Sequence, residues 1–444
     1  MKKLFTTLSN IWKIQELKER ILFTIMILVV YRFVCQVVLP GVDPTKLDVA
    51  SKTGILGLLD MFAGGAFSKM SIVALGVMPY ISASIVVQLL GIAVPSFQKM
   101  QKEGESGRKK LTQYTRYLTV FITAVQAVGY VKTQVKPEAI VIDHSTFYIL
   151  SGFILTAGTL FVMWLGEKIT DKGIGNGTSL IIMVGIIARL PMALQQEISS
   201  KIAGNDGGLI MIVIEIVALL AVVMFTILIV QGVRKVPVQY AKRIVGNKQV
   251  GGVRQYIPLK VNAAGVMPII FAQALMFIPN ALIGIFPEKL TDSWLHNYTD
   301  ITSLTYSLTF AFLIIAFTFF YTAITVNPTQ MSDDMKKNGG FIPGIKPGLA
   351  TSNFIDEVIS KITFPGSLFL AAIAILPSLA IKMGITQEFG HFFGGTSLLI
   401  LVGVVLDTLQ QIESYLLMRH YDGLMKTGRV TGRSGIPASS NAAL

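Results

Sequence analysis

Long stretches without a charged residue alternate along the chain with shorter segments that carry most of the Asp, Glu, Lys and Arg. A membrane helix needs about 20 mostly apolar residues, and fewer where flanking side chains reach the interface. The stretches of this kind are 21–39 (interrupted by Arg32), 70–98, 117–131, 145–166, 173–188, 216–233, 261–287, 301–332, 362–381 and 389–406. The pattern therefore predicts ten membrane helices, with 117–131 and 173–188 marginal in length.

Composition favours a membrane protein. The chain has 444 residues, of which 52% are apolar and 14% are charged, whereas a soluble domain carries roughly 25% charged residues. A soluble core of this chain length is too small to absorb such a deficit. Disordered, collagen-like and disulfide-rich classes are also excluded, the last because Cys35 is the only cysteine. Buried helices of a large soluble protein remain a minor alternative.

The basic residues indicate an orientation. With the N-terminus inside, 28 Lys and Arg fall in inside segments and 9 in outside segments. Because basic loops stay cytoplasmic, both termini are predicted to be cytoplasmic. Residues 1–20 are basic and amphipathic, without a cleavage site, and are expected to lie along the membrane surface.

The segment 55–67, ILGLLDMFAGGAF, is apolar but too short to cross a bilayer. It contains Asp60 and the pair Gly64-Gly65. Such a segment is typical of a re-entrant, plug-like element buried in protein or lining water. A surface helix on the outer leaflet is the alternative. We call residues 55–67 the plug segment.

Two predicted spans carry prolines and polar side chains. Span 70–98 contains Pro79, which is expected to bend the helix in its middle, and span 261–287 contains Pro268. Their polar side chains need a polar cavity or a neighbouring helix, and ordinary helix–helix contacts are the simpler interpretation. These two spans are the second and the seventh of the ten, so each is the second span of a group of five. This correspondence suggests an inverted repeat of two five-helix halves.

Two long segments between spans stand out. The segment 231–262 carries seven basic and no acidic residues, and 327–361 is rich in Gly and Pro. Loops of this kind often bind a partner, and the net charge of +13 suggests anionic lipid, RNA or an acidic protein. Positive-inside topology requires basic loops in any case, so charge alone is weak support.

The sequence contains no motif for catalysis. HExxH, GxSxG, the phosphate-binding GxxxxGK[ST] and spaced Cys/His clusters are all absent. Intramembrane acids are the remaining candidates for chemistry, since ion-coupled carriers use them. They are Glu215, Asp407 and Glu413, and Arg32 is expected to pair with one of them or with a helix C-terminus.

Several long motifs resemble a known family. They are ALGVMPYISASIVVQLL (74–90), KEGESGRKKLTQYTRY (102–117), MWLGEKITDKGIGNGTSLII (163–182), VPVQYAKR (236–243), IPLKVNAAGVMPIIFA (257–272), GGFIPGIKPG (339–348) and GGTSLLILVGVVLD (394–407). Together they closely resemble the SecY family, the channel subunit of the bacterial protein translocase, from about residue 15 to 425.

The resemblance implies an all-α polytopic membrane fold, with ten transmembrane helices in two inverted five-helix halves around a central pore and a short re-entrant plug helix. Its segments are a cytoplasmic N-terminal segment 1–20, a first half 21–200, a second half 201–420 and a cytoplasmic tail 421–444. The implied function is passage of unfolded secretory polypeptides across the membrane, with release of hydrophobic segments into lipid through a lateral gate. The channel is passive, is not an enzyme and needs no cofactor and no metal.

The resemblance also assigns residues. The pore ring is Val77, Ile81, Ile182, Ile270, Ile400 and, as the least certain member, Leu275. The plug residues are Leu58, Leu59, Asp60, Met61, Phe62, Gly64 and Gly65. The lateral-gate residues are Ser84, Gln88 and Asn262, with hydrogen bonds across the gate expected to hold it shut. Partner docking falls to Arg243, Lys248, Arg254 and Lys346.

The implied partners are SecE-like and SecG-like small membrane subunits, a SecA-like motor ATPase, the ribosome, secretory and membrane protein substrates, and membrane lipid. The implied location is the bacterial cytoplasmic membrane. The sequence departs from the family at Lys346 and at Asn247-Lys248, where arginines are common, and Glu215 has no assigned counterpart. A secondary transporter with an inverted repeat is the second hypothesis, and an intramembrane enzyme the third.

Overall fold

The computed structural model describes residues 14–43, 55–135, 139–203, 208–240, 243–245, 248–250, 254–285 and 300–426. The helices are α1 Gln15–Val34, α2 Ile55–Phe62, α3 Met78–Ala93, α4 Pro95–Lys102, α5 Glu105–Gln134, α6 His144–Lys172, α7 Gly177–Ala203, α8 Gly208–Val230, α9 Met267–Ile285, α10 Leu304–Thr325, α11 Pro328–Lys337, α12 Leu349–Lys382, α13 Gln387–Gly390 and α14 Gly395–Lys426. The strands are β1 Val233–Tyr240, β2 Arg243–Val245, β3 Lys248–Val250, β4 Arg254–Lys260 and β5 Gly340–Phe341.

Six stretches of helix in the described ranges are long and apolar enough to cross a membrane. They are α6, α7, α8, Leu304–Lys337 (α10 continued by α11), α12 and Gly395–Leu416 of α14. The bent pair of α3 and α4 makes a seventh if it counts as one span, while Met267–Met276 of α9 is a shorter apolar helix. The remaining predicted spans, 21–39 and 117–131, fall mainly in α1 and within α5.

The prediction that Pro79 bends the middle of span 70–98 is wrong. Residues 70–77 form turns, and α3 begins at Met78 with Pro79 in its first turn, where a missing N–H costs no helical hydrogen bond. The chain instead bends by 104° between α3 and α4. Val94 there is extended, with φ −113° and ψ 118°, because Pro95 disfavours a helical conformation in the residue before it.

The helix predicted for 173–188 is longer than the uncharged stretch. In the structure α7 runs from Gly177 to Ala203, well beyond Arg189, the first charged residue after the predicted span. The helix continues through Arg189 and Lys201 because both side chains have acidic partners, described below. Paired charges do not break an otherwise apolar helix.

The expected surface segment 1–20 is also different. Residues 1–13 lie outside the described ranges, and residues 15–20 are the first turns of α1. Glu16 and Arg20, four residues apart, form an ion pair of 3.4 Å that favours continuation of the helix.

The two long segments between spans have regular structure. In 231–262, β1 and β4 pair antiparallel from Val233↔Lys260 to Gln239↔Arg254, and β2 pairs with β3. In 327–361, β5 joins the other edge of β1, giving the order β4-β1-β5, between α11 and the start of α12. Val236, Val238, Leu259, Met335 and Ile355 form a small core that holds sheet and helices together.

Two larger hydrophobic cores fill the helical body. The first draws on α1, the plug segment, α3, α5, α6 and α7, and the second on α9, α10, α12 and α14. Helix α14 belongs to both, since Ile400 and Val404 pack in the first core and Leu399 and Val402 in the second. The surface between the two cores therefore runs along α14.

Candidate functional site

Four isoleucines from four helices meet around one small cavity. They are Ile81 of α3, Ile182 of α7, Ile270 of α9 and Ile400 of α14. Phe62, at the end of α2 in the plug segment, lines the same cavity. We call this space, with its lining, the ring cavity. Its branched apolar walls lie where the two hydrophobic cores meet.

The other two predicted ring residues occupy different positions. Val77 is buried in the first core directly before α3 and does not line the cavity. Leu275 is 41% exposed and also lies away from it. Residues five apart on a helix face different directions, whereas residues three apart share a face. Gln273, three residues after Ile270, accordingly lines the cavity instead of Leu275.

The ring cavity has a polar edge that the sequence did not indicate. Thr396 Oγ1 of α14 donates a hydrogen bond of 2.6 Å to Gln273 Oε1 of α9. Both side chains are buried and both line the cavity, as does Met78. Gln273 is one of the polar side chains of the predicted span 261–287, whereas nothing local in the motif 394–407 pairs Thr396 with it.

The plug segment is buried in the protein. Asp60 is 5% exposed, and Met61 and Phe62 belong to the first hydrophobic core. This burial contradicts the alternative of a surface helix on the outer leaflet. Gly64 and Gly65, with φ values of +63° and +87°, turn the chain back after α2. The side chains of Leu58 and Leu59 lie outside the described part.

Ionic and hydrogen-bond contacts hold the plug segment to α1 and α7. The carboxylate of Asp60 pairs with the guanidinium of Arg189 and accepts a hydrogen bond of 2.8 Å from Ser68 N. Arg189 Nη2 also donates to Ser68 Oγ at 3.1 Å. On the other side, Arg32 Nη1 donates to Gly64 O at 3.0 Å, just past the end of α2. Arg32 thus binds near a helix C-terminus, the second of its two predicted partners.

Close backbone packing adds to this seat. A Cβ atom on Gly185 of α7 would lie 2.7 Å from Phe62 O, so only glycine lets α7 approach the plug segment this closely. Tyr130 of α5 donates a hydrogen bond of 2.6 Å to Phe67 O at the end of the segment. The plug segment is therefore fixed by three helices.

In the described part of the chain, no hydrogen bond joins Asn262 to the predicted gate residues of α3. Gln88 Nε2 donates to Ser84 Oγ at 3.2 Å on its own helix. Asn262 Oδ1 lies buried before α9 with no hydrogen-bond partner among the described residues. The hydrogen bond expected across the gate is therefore missing from the described part, because Gln88 satisfies its amide within α3.

The predicted docking residues lie on or beside the small sheet. Lys346 is exposed in the turn between β5 and α12, and its carbonyl accepts a hydrogen bond of 2.9 Å from Thr351 Oγ1. Arg243, Lys248 and Arg254 begin β2, β3 and β4, and their side chains lie outside the described part.

The intramembrane acids have different surroundings. Asp407 and Glu413 are exposed, whereas Glu215 is 3% exposed and lies 3.4 Å from Lys201 Nζ. Among the described residues, no group of three His, Cys, Asp or Glu side chains could hold a metal ion.

Comparison with known proteins decides the family. The SecY family model matches residues 71–409, well over half of the chain. The chain belongs to the SecY family. Among its relatives is protein translocase subunit SecY of Halalkalibacterium halodurans, 44% identical over 431 residues that cover 95% of this chain and 100% of the relative. The SecY protein of Bacillus subtilis is 41% identical over 433 residues, with the same coverage.

Solved structures confirm the SecY fold. The one described as "The structure of a protein conducting channel" has a TM-score of 0.64 at 19% identity and covers 94% of this chain and 95% of that chain. Another, "Sec61 in the Canine ribosome-channel complex from the endoplasmic reticulum", has a TM-score of 0.61 at 17% identity, with coverage of 94% and 95%. At these identities the likeness shows the fold alone. The chain has the ten-helix fold of these channels, as predicted.

Proposed function

We propose that this chain is the channel subunit of a protein translocase, passing unfolded secretory polypeptides across the bacterial cytoplasmic membrane. The observation that carries the proposal is the ring cavity, whose isoleucines come from four helices and whose wall includes Phe62 of the plug segment. A channel of this kind supplies a path and no chemistry, and the SecY family is a family of translocation channels rather than known enzymes.

The ring cavity is suited to seal against ions while letting a polypeptide pass. A narrow neck lined by branched apolar side chains expels water, so that ions lose their hydration there. The same side chains change rotamers around an extended chain and offer no strong bond to any one residue. Ile81, Ile182, Ile270 and Ile400 fill this role.

The plug segment is proposed to close the channel at rest. It reaches the ring cavity through Phe62, and the contacts of Asp60 and Gly64 with two arginines hold it in place. An entering polypeptide that displaces the segment replaces these polar contacts, and the apolar contacts of Met61 and Phe62, with contacts of its own.

A lateral exit to lipid is proposed between α3 and α9, with Ser84, Gln88 and Asn262 along it. An apolar segment that reaches this exit leaves the aqueous pore for hydrocarbon, a transfer favourable in proportion to its apolar area. Because Gln88 bonds to Ser84 within α3, the described side chains leave few polar contacts to break across the exit.

Partners are proposed at the face that carries the small sheet, with both termini cytoplasmic. Arg243, Lys248, Arg254 and Lys346 are the proposed contacts for a SecA-like motor ATPase or the ribosome, which would supply the driving force. Support comes from the exposed position of Lys346 in the turn after β5 and from the basic charge of 231–262. SecE-like and SecG-like subunits are proposed as further partners.

Charge reversal at Lys346 should weaken motor-driven transport. We expect Lys346→Glu to slow ATP-dependent translocation into reconstituted vesicles several-fold, because a like charge then faces the acidic or phosphate groups of the partner. Lys132→Glu, an exposed lysine at the end of α5 that the charge pattern assigns to the opposite face, is the matched control and should transport normally. Equal rates for Lys346→Glu and the unmodified chain would remove this turn from the contact.

An ion-coupled transporter is disfavoured by the acids. Asp407 and Glu413 are exposed, and Glu215 forms an ion pair with Lys201.

The experiment that tests the channel proposal is crosslinking of a translocating precursor to the residues of the ring cavity. Adducts are expected there, and not at positions that face away from it.

A further inference from the structure

Three charged side chains lie buried together where α7 and α8 meet. Lys201 Nζ lies 3.8 Å from Glu197 Oε1 on its own helix and 3.4 Å from Glu215 Oε1 of α8. Their exposed fractions are 4%, 0% and 3%, respectively. We call these three residues the Lys201 cluster. The channel mechanism above does not use it.

The cluster also holds the segment between α12 and α13. Lys201 Nζ donates to Gly384 O at 2.9 Å. Glu197 Oε2 accepts a hydrogen bond of 2.9 Å from Thr386 N and another from Thr386 Oγ1. Lys201, Glu197 and Glu215 thus join three separate parts of the chain, which are α7, α8 and residues 384–386.

The same segment leads to the plug. Helix α13, which begins directly after Thr386, packs against α7, and its Phe389 lies in the same hydrophobic core as Met61 and Phe62 of the plug segment. Glu388 of α13 also interacts electrostatically with Arg189, the partner of Asp60. Burial raises the pKa of Glu388, and the charge of Arg189 opposes this shift. Arg189 lies two helical turns before Glu197 on α7, so both ends of the segment are attached to the same helix. A continuous set of contacts therefore joins the plug segment to α8.

We propose that the Lys201 cluster holds residues 384–388 in place and thereby keeps Arg189 aimed at Asp60, so that the contact of α7 with α8 and the seating of the plug segment are coupled. The coupling rests on the proposed sealing role of the plug. Movement of α8 relative to α7 would release the segment and weaken the hold on the plug, and an unseated plug would loosen the cluster in return.

Burial makes the cluster suited to such coupling. Buried ion pairs contribute little net stability, but removal of Lys201 would leave two buried carboxylates without a cation, and removal of the Glu215 charge would break the ion pair between α7 and α8. The cluster therefore has two states, one with its ion pairs formed and one with them broken. Energetic coupling between two sites requires a two-state element of this kind.

A double-mutant cycle on ion leak tests the coupling. The variants are Glu215→Gln, Asp60→Asn and the pair together, measured as resting conductance of the reconstituted chain in planar bilayers. We expect Glu215→Gln to raise the conductance by between about twofold and about thirtyfold. In the Asp60→Asn background, Glu215→Gln should raise the conductance by a clearly smaller factor. The ion pair of Asp60 with Arg189, through which the cluster acts on the plug, is already lost there.

A matched control and a second cluster variant complete the test. Ser378→Ala removes a buried hydrogen bond of 3.2 Å from Ser307 of α10, which takes no part in the contacts of the cluster, and should leave the conductance unchanged. Lys201→Met should act like Glu215→Gln, with membrane abundance of each variant measured alongside. If Glu215→Gln has no effect, or multiplies the leak equally in both backgrounds, the coupling is contradicted. If Asp60→Asn itself leaves conductance unchanged, the contact with Arg189 does not hold the plug and the coupling is contradicted. Unchanged conductance after deletion of residues 57–67 would show instead that the plug does not seal.

Discussion

Replacement of Arg189 by methionine is expected to unseat the plug segment. Asp60 is 5% exposed, and without Arg189 its carboxylate keeps, among the described residues, the hydrogen bond from Ser68 N. Removing one partner of a buried ion pair costs about 3–5 kcal/mol, which corresponds to roughly a hundredfold or more in the ratio of seated to displaced plug. Arg189→Met should therefore raise the resting ion conductance of the reconstituted channel and relax its selection among signal sequences.

The nearby Lys69 provides the matched control. Lys69 is exposed two residues after the plug segment, and its ammonium donates to Gln36 Oε1 at 2.7 Å, so Lys69→Met removes a cation without uncovering a buried acid. Its conductance should equal that of the unmodified chain. Asp60→Asn added to Arg189→Met should reverse part of the leak, because the buried side chain at position 60 then carries no uncompensated charge. An unchanged resting conductance of the Arg189→Met channel would mean that packing at Gly185, without the ion pair, holds the plug segment in place.

Polar side chains in the ring cavity should abolish its seal. In a chain lacking residues 57–67, the neck alone resists ions, and Ile270→Asn with Ile400→Asn would let water fill it. Each 1.4 kcal/mol removed from the barrier raises the rate about tenfold, so conductance should increase by about tenfold or more. Single-channel recording in planar bilayers measures this directly.

The variant Leu275→Asn is the control that tests whether the leak arises at the ring cavity. Leu275→Asn places the same amide on the same helix but away from the cavity, and it should leave conductance unchanged. Equal leak from Leu275→Asn and from the ring variant would attribute the effect to a damaged α9. No leak from the ring variant would show that the isoleucines do not form the barrier.

The apolar stretches were enough to predict the spans and the plug segment, but not where helices begin. Periodicity and charge report which residues avoid water, whereas a helix start depends on local backbone chemistry. Pro79 was expected to bend a helix and instead begins one, and the bend lies before Pro95. Turns at 70–77 leave no mark in hydropathy because these residues are buried and mostly apolar.

Long-range polar contacts could not be predicted from the chain. Asp60 and Arg189 are far apart in sequence, and nothing local assigns one to the other. The same holds for Gln273 with Thr396 and for Glu215 with Lys201. The prediction placed the end of each span at the first charged residue, and it therefore made α7 too short. The charged residues of α7 are buried or half-buried because they pair with partners elsewhere in the fold, which the sequence does not reveal. The family resemblance predicted the four isoleucines of the ring cavity. Only the structure showed that Leu275 faces away from that cavity.

Crosslinking of a stalled precursor tests the central claim that a polypeptide passes through the ring cavity. A photoreactive residue is placed in turn at Ile81, Ile182, Ile270 and Ile400, with Leu275 as the control on α9. A secretory precursor blocked by a folded domain at its C-terminus is then engaged in membranes. The account predicts precursor adducts at all four isoleucines and none at Leu275. Adducts at Leu275 with none at the four isoleucines would contradict it.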